Sequence, residues 1–156
     1  MPTLRPWEAR DLPLLARASE DEYVALIERL PMPFDSERAA EWLATRRETD
    51  WAVAVDGGAV GGAGYALRHV PGLAEVGYWI VADRRGAGLA TAAVELVVER
   101  ALAAGIERLQ ATVEPWNGAS QRVLEKAGFE REGLLRGYAR HGEGPRHDVY
   151  VYGRLA

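Results

Sequence analysis

The chain has 156 residues, of which 48% are hydrophobic and 27% charged, enough apolar material for one domain with a buried core. The net charge of −4 argues against a surface for duplex nucleic acid, which needs a basic face. With no cysteine, disulfides, thiolate metal sites and a cysteine nucleophile are all excluded.

The N-terminal stretch MPTLRPWEARDLPLL contains no apolar run long enough for a signal peptide or membrane span, so a cytoplasmic protein is the expectation. Thr3–Trp7 reads as a short strand. Asp11 caps a helical pattern carrying Leu12, Leu14, Leu15 and Ala18. Pro31 and Pro33 break the next helix, and Ser36 opens another through Ala39, Ala40, Leu43 and Ala44, with Glu37 in its first turn. Trp51–Val55, Asp56-Gly57-Gly58 and Ala59–Leu67 form a β-hairpin signal, because Asp-Gly tolerates the positive φ of a tight turn. Ala74–Val81 is a third strand.

A helix follows with Leu89, Ala93, Leu96, Val97 and Ala101 along one side, and Gly105 ends it. Leu109–Val113 is a strand and Ser120–Ala127 a short helix stopped by Gly128. Phe129 and Val149–Leu155 belong to two last strands, parted by a stretch that includes the loop His141–Gly144. The expected order is strand, two helices, three strands, helix, strand, helix, two strands, a mixed α/β chain forming a single domain over residues 1–156. His69, His141 and His147 fall in loop-like contexts without metal-ligand spacing, so no metal site is expected.

The most informative segment is Trp79–Thr91. A strand runs into Arg84-Arg85-Gly86-Ala87-Gly88-Leu89-Ala90 and a helix starts at once. Glycines let the backbone curl so that several amide N–H groups can face one phosphate, and a helix N-terminus adds about half a positive charge there. The segment lacks the Gly-Lys-Ser/Thr of a P-loop. It half matches G-x-G-x-x-G, with Thr91 at the third glycine, and Glu114 could imitate a ribose-binding acid. A Rossmann-like nucleotide-binding enzyme is therefore one reading, although that fold should open with this unit and continue as a parallel sheet.

Arg85-Gly86-Ala87-Gly88-Leu89-Ala90 also fits Arg/Gln-x-x-Gly-x-Gly/Ala, and here the chain resembles the GNAT superfamily of N-acetyltransferases. A second segment, Asn117-Gly-Ala-Ser120-Gln-Arg-Val-Leu-Glu-Lys126-Ala-Gly128-Phe129, resembles that family's Asn-x-x-Ser/Ala-x-x-x-x-x-Lys-x-Gly-Phe stretch. With Ala74–Trp79 it is similar to the ribosomal-protein N-terminal acetyltransferases. The resemblance covers essentially the whole chain. It implies an acyl-CoA N-acyltransferase fold: a central, mostly antiparallel sheet with two splayed strands, flanked by helices.

It also implies acetyl-CoA as co-substrate, without a metal, and an amine acceptor, either a protein N-terminus or a small molecule. Carried over residue by residue, the backbone of Trp79, Ile80 and Val81 pairs with the pantetheine amides. The amides of Arg85, Gly86, Ala87, Gly88, Leu89 and Ala90, with Thr91 next to them, hold the pyrophosphate. Asn117 bonds the cofactor near its pantetheine arm or caps a helix. Glu75 stands where related enzymes carry a catalytic glutamate, and alternation puts it on one strand face with Gly77 and Trp79. Ser120, where several relatives also carry serine, is the candidate acid or orienting donor for the leaving sulfur, or a helix-start serine; Leu124 stands where many relatives carry a tyrosine, which rules out a tyrosine acid there. Arg122 and Lys126 read as solvated charges, and Trp42, Tyr65, Trp116 and Tyr138 as packing or groove-rim aromatics. A non-catalytic CoA-binding sensor would keep the same motifs. Homodimer formation would come from the family alone.

Overall fold

Asp56 and Gly57 take φ of +51° and +83°, two successive left-handed residues that close a two-residue hairpin. In the computed structural model, which describes residues 1–156, this turn joins β2 (Asp50–Val55) to β3 (Gly58–Leu67). Before it come β1 (Thr3–Arg5) and three helices, α1 (Leu12–Ser19), α2 (Glu22–Glu28) and α3 (Ser36–Ala44). After it come β4 (Leu73–Ile80), α4 (Leu89–Ala103), β5 (Arg108–Val113), α5 (Gly118–Lys126), β6 (Glu130–Ala139) and β7 (His147–Leu155). The seven strands line up in one sheet in the order β1-β2-β3-β4-β5-β7-β6. The β1–β2, β2–β3, β5–β7 and β6–β7 pairings are antiparallel, and β4–β5 is parallel. That mixture excludes the Rossmann reading, which requires a parallel sheet. No helix is long and apolar enough to cross a membrane.

The chain packs as two compact units, Met1–Gly64 with Tyr78–Ala93 and Tyr65–Gly77 with Val94–Ala156. In the first, Leu14, Leu15 and Ala18 of α1, Val24 and Ala25 of α2, and Ala39 and Trp42 of α3 bury a common core with Trp79 and Val81. Trp7 stacks on Trp79 at 6.0 Å and meets Trp42 edge-on at 5.4 Å, an arrangement that suits the ring quadrupoles. The caps differ from those read in the sequence. Three helices precede β2 rather than two, and α3 is capped by Asp35, whose carboxylate accepts from the Arg38 N–H at 3.0 Å, not by Ser36. Asp11 makes no cap bond to α1; its carboxylate takes both Arg5 guanidinium nitrogens at 2.7 Å and the Glu8 N–H at 2.9 Å. A buried carboxylate is better served by that fixed fork than by one amide.

Gly61 and Gly62 let β3 lie close against its neighbours. A Cβ on Gly62 would stand 2.7 Å from Trp79 Nε1 and 2.9 Å from the Trp7 ring. Replacing Gly62 by valine should therefore cost about 1–3 kcal/mol, the range of overpacked cores. Urea unfolding measures it, and an unshifted midpoint would show that the indoles do not fill this space.

Glu28, at the end of α2, lies 3.8 Å from Arg46. Burial pushes its carboxyl up to about 7, more than the Arg46 charge can offset, and Asp50 adds to the rise. The folded state holds this proton where the unfolded chain has lost it, so Glu28 erodes stability as pH rises from about 4.5 to 7. Glu28→Gln should therefore stabilise the protein at pH 8 by on the order of 1–2 kcal/mol and change little at pH 4. Thermal melts of both proteins at the two pH values give the comparison. An equal difference at both would refute the burial argument.

In the second unit the body of α4 buries Val94, Val97, Val98 and Ala101, an i, i+3, i+4, i+7 stripe. Of the stripe expected, Ala93, Val97 and Ala101 are buried, whereas Leu89 and Leu96 are only half-buried. Gly105 and Gly128 end α4 and α5 with φ of +85° and +81°. In each case the next N–H, from Ile106 or Phe129, bonds back at 3.0 Å to the carbonyl of Ala101 or Leu124. The strand expected at Phe129 is the ten-residue β6, which pairs with β7 through two register shifts.

Candidate functional site

The residues singled out from the sequence fall into two groups, one in each unit. In the first unit β4 ends at Ile80 and a 3-10 turn, Ala82–Arg84, leads into the glycine segment. The Val81 N–H is bonded to the Val60 carbonyl at 3.0 Å, so Val81, and by alternation Trp79, direct their backbone groups toward β3. Ile80 directs its own to the opposite edge, where its carbonyl accepts from Arg85 Nε at 2.8 Å. The side chains of Trp79, Ile80 and Val81 are all buried.

Gly86 and Gly88 have φ of +83° and +75°, and nothing lies within 4 Å of where a Cβ would stand on either. Their identity is set by backbone conformation rather than by crowding, and the space beside them is open. The Ala92 N–H bonds to the Gly88 carbonyl at 3.1 Å, which is the first rung of α4. The amides of Leu89, Ala90 and Thr91 therefore precede the helical ladder, as the first amides of any helix do. The segment Ala82–Gly88 is exposed and Leu89–Thr91 half-exposed. One expected donor is already engaged, since the Arg85 N–H bonds to the Ala82 carbonyl at 3.3 Å.

The Arg85 side chain braces the turn. Besides Ile80, it reaches Asp21 at 2.6 Å, the residue that also caps α2 through the Val24 N–H at 3.2 Å. Burial would raise the Asp21 carboxyl, but the bonds from Arg85 and Val24 outweigh it and hold the group below its ordinary value. Arg17 of α1 adds a second tie, to Asp83 at 2.5 Å. Helices α1 and α2 thus anchor the turn from outside, a support that its own sequence does not reveal.

In the second unit β4 and β5 pair in register at Leu73↔Arg108, Ala74↔Leu109 and Glu75↔Gln110. Glu75, at the last of these, is partly buried and held by an ion pair with Arg68. Gln110 Nε2 and Thr112 Oγ1 from β5 approach its carboxylate at 3.5 Å. The carboxylate is thus oriented by β5 and by the residue that follows β3. Asn117 caps α5, its Oδ1 accepting from the Ser120 N–H at 3.1 Å, while the Asn117 N–H bonds to the Glu114 carbonyl at 2.9 Å. Since Asn117 does the capping, Ser120 is not needed for it. Leu124 is fully buried in the core, so no acid stands at its position. Arg122 and Lys126 are exposed. Of the aromatics, Trp42 and Tyr65 are buried, whereas Trp116 and Tyr138 are exposed.

The histidines depart from the sequence reading. His141 Nε2 lies 2.7 Å and His147 Nε2 3.3 Å from the same Glu114 oxygen. In sequence they are 27 and 33 residues from Glu114, beyond the reach of local spacing rules. The signal that could have found them is the hairpin, which folds the start of β7 back beside the loop after β6.

The family profile described as an acetyltransferase (GNAT) domain matches residues 3–130. The uncharacterized N-acetyltransferase YoaA of Bacillus subtilis is 31% identical over 135 residues, covering 86% of this chain and 72% of that protein. Mycobacterium smegmatis RimJ, solved in complex with CoA-disulfide, superposes with a TM-score of 0.82 at 27% identity, over 99% of this chain and 82% of that one. A GNAT-family acetyltransferase from Bacillus anthracis gives a TM-score of 0.86 at 22% identity, over 99% of this chain and 94% of that one, a likeness of fold.

Proposed function

The chain belongs to the GNAT family of acetyltransferases, and from that premise we propose that it moves the acetyl group of acetyl-CoA to a primary amine by direct attack. The observation that carries this reading is the open turn of Gly86 and Gly88 leading into the first amides of α4, chemistry suited to a diphosphate. The CoA-disulfide bound by the mycobacterial RimJ supports the same co-substrate. In this proposal Gly86, Ala87, Gly88, Leu89, Ala90 and Thr91 receive the pyrophosphate, and the Arg85 side chain braces them. Ile80, whose backbone faces away from β3, is the residue of Trp79–Val81 best directed to pair with a pantetheine amide. Asn117 serves as helix cap and offers its Nδ2 to the co-substrate.

The chemistry needs a neutral amine. An α-amino group with a pKa near 8 is about one-tenth neutral at pH 7, whereas lysine is well under about one-thousandth. That difference favours a protein N-terminus or a small amine of low basicity. The nitrogen lone pair attacks the thioester carbonyl carbon, a C–N bond forms, and the C–S bond breaks as the sulfur departs. Glu75 takes the ammonium proton, directly or through water, and the Ser120 hydroxyl donates to the sulfur. A thiol of pKa about 8.5 is a fair leaving group, so holding the reactants together supplies much of the rate.

Thiol release from acetyl-CoA, measured across peptides with free N-termini and a set of small amines, tests the proposal. Release with at least one amine class, faster for α-amines than for lysine side chains, is expected. Silence across the whole panel would overturn it.

A further inference from the structure

We propose that Glu114, His141 and His147 form a binding site for one divalent transition-metal ion of the zinc class. The proposal does not depend on the assignment of the acetyl-transfer residues. The three side chains offer two imidazole nitrogens and a carboxylate oxygen, all within 4.8 Å of one another. A tetrahedral ion with ligand bonds of about 2.0–2.2 Å needs its ligand atoms about 3.3–3.5 Å apart. The 3.3 Å from Glu114 Oε1 to His147 Nε2 meets that requirement, and the 2.7 Å to His141 Nε2 must open by roughly 0.6–0.8 Å to admit an ion.

The scaffold under these ligands is rigid at two of its three corners. Glu114 follows directly on β5, whose last pair, Val113↔Tyr150, ties it to β7. Its own carbonyl is fixed by the Asn117 N–H at 2.9 Å. His147 is the first residue of β7, paired with Ala139 of β6. His141 lies in the loop between those strands, where its carbonyl accepts from the Gly144 N–H at 3.1 Å. The imidazoles sit with centroids 4.6 Å apart and planes inclined by 39°, both aiming Nε2 at the same point.

Burial gives the site its preference for a cation. The Glu114 side chain is only 8% exposed, and a carboxylate so enclosed gains from positive charge beside it. The histidine side chains, 28% and 29% exposed, leave a route for an ion to enter. Two nitrogens and one oxygen exclude the oxygen-preferring calcium and magnesium and suit zinc, cobalt, nickel or copper. Three protein ligands leave a fourth position for water or a ligand atom, the arrangement of a reactive rather than a closed structural site.

The test uses tag-free, chelator-treated protein titrated with zinc chloride by calorimetry in a non-coordinating buffer. Saturation at about one ion per chain is expected, with His141→Ala and His147→Ala each weakening binding by about tenfold or more. Magnesium should give no saturable signal. Circular dichroism of each variant separates lost binding from lost folding, and His141→Gln serves where alanine unfolds the loop. Cobalt should produce the visible bands of a tetrahedral site. A zinc titration that does not saturate, or an affinity unchanged in either folded histidine variant, overturns the proposal and leaves a hydrogen-bonded His–Glu–His cluster. Because the readout is metal binding, its failure would leave the acetyl-transfer reading untouched.

Discussion

Gly88→Glu should raise the KM for acetyl-CoA by about two to three orders of magnitude while the protein stays folded. Two effects add. Gly88 has φ +75°, a conformation that costs a residue with a side chain about 1–3 kcal/mol, so the turn relaxes and its amides move off target. A carboxylate is also placed where the diphosphate is to sit, and repels it. The position is exposed, with nothing within 4 Å of the new Cβ, so packing does not suffer and the fold should hold. Alanine at the same site separates the two contributions, since it carries the strain without the charge and should give the smaller rise. Calorimetric titration with CoA checks both. An affinity unchanged by glutamate would remove the turn from the binding site.

Glu75→Gln should lower kcat by about 10²- to 10³-fold with little change in KM for acetyl-CoA, the loss expected when a positioned base is replaced by its isostere. Glutamine keeps the volume and can still meet Thr112, but it cannot accept the ammonium proton, and it breaks the ion pair with Arg68. Arg68→Met distinguishes a base from a structural carboxylate. It releases Glu75 from its partner without removing the carboxylate, so it should leave most of the activity. If Glu75→Gln turned over at the rate of the parent, the base would have to be another group.

Local chemistry accounts for what the sequence disclosed. Asp56-Gly57, Gly86, Gly88, Gly105 and Gly128 all take positive φ, and each marks a turn or helix end where it was expected. Asn117 caps its helix because an Asx side chain three residues before an amide can do little else so well. What stayed hidden depends on tertiary partners. The Asp21 brace on Arg85 links residues 64 apart, and the Arg68–Glu75 pair exists only because the β3–β4 turn brings its flanks together. Asp11 looks like a cap in sequence and is captured by Arg5 in the fold. The two last strands and the loop at His141–Gly144 were legible, but not that their hairpin carries His141 and His147 to Glu114.

The most direct measurement is an amide NMR titration of the 15N-labelled protein with CoA. The account predicts that the N–H resonances of Gly86 to Thr91 move the most and shift downfield, because new bonds to phosphate oxygens deshield them. CoA bound with those six resonances unmoved, while others respond, would contradict it.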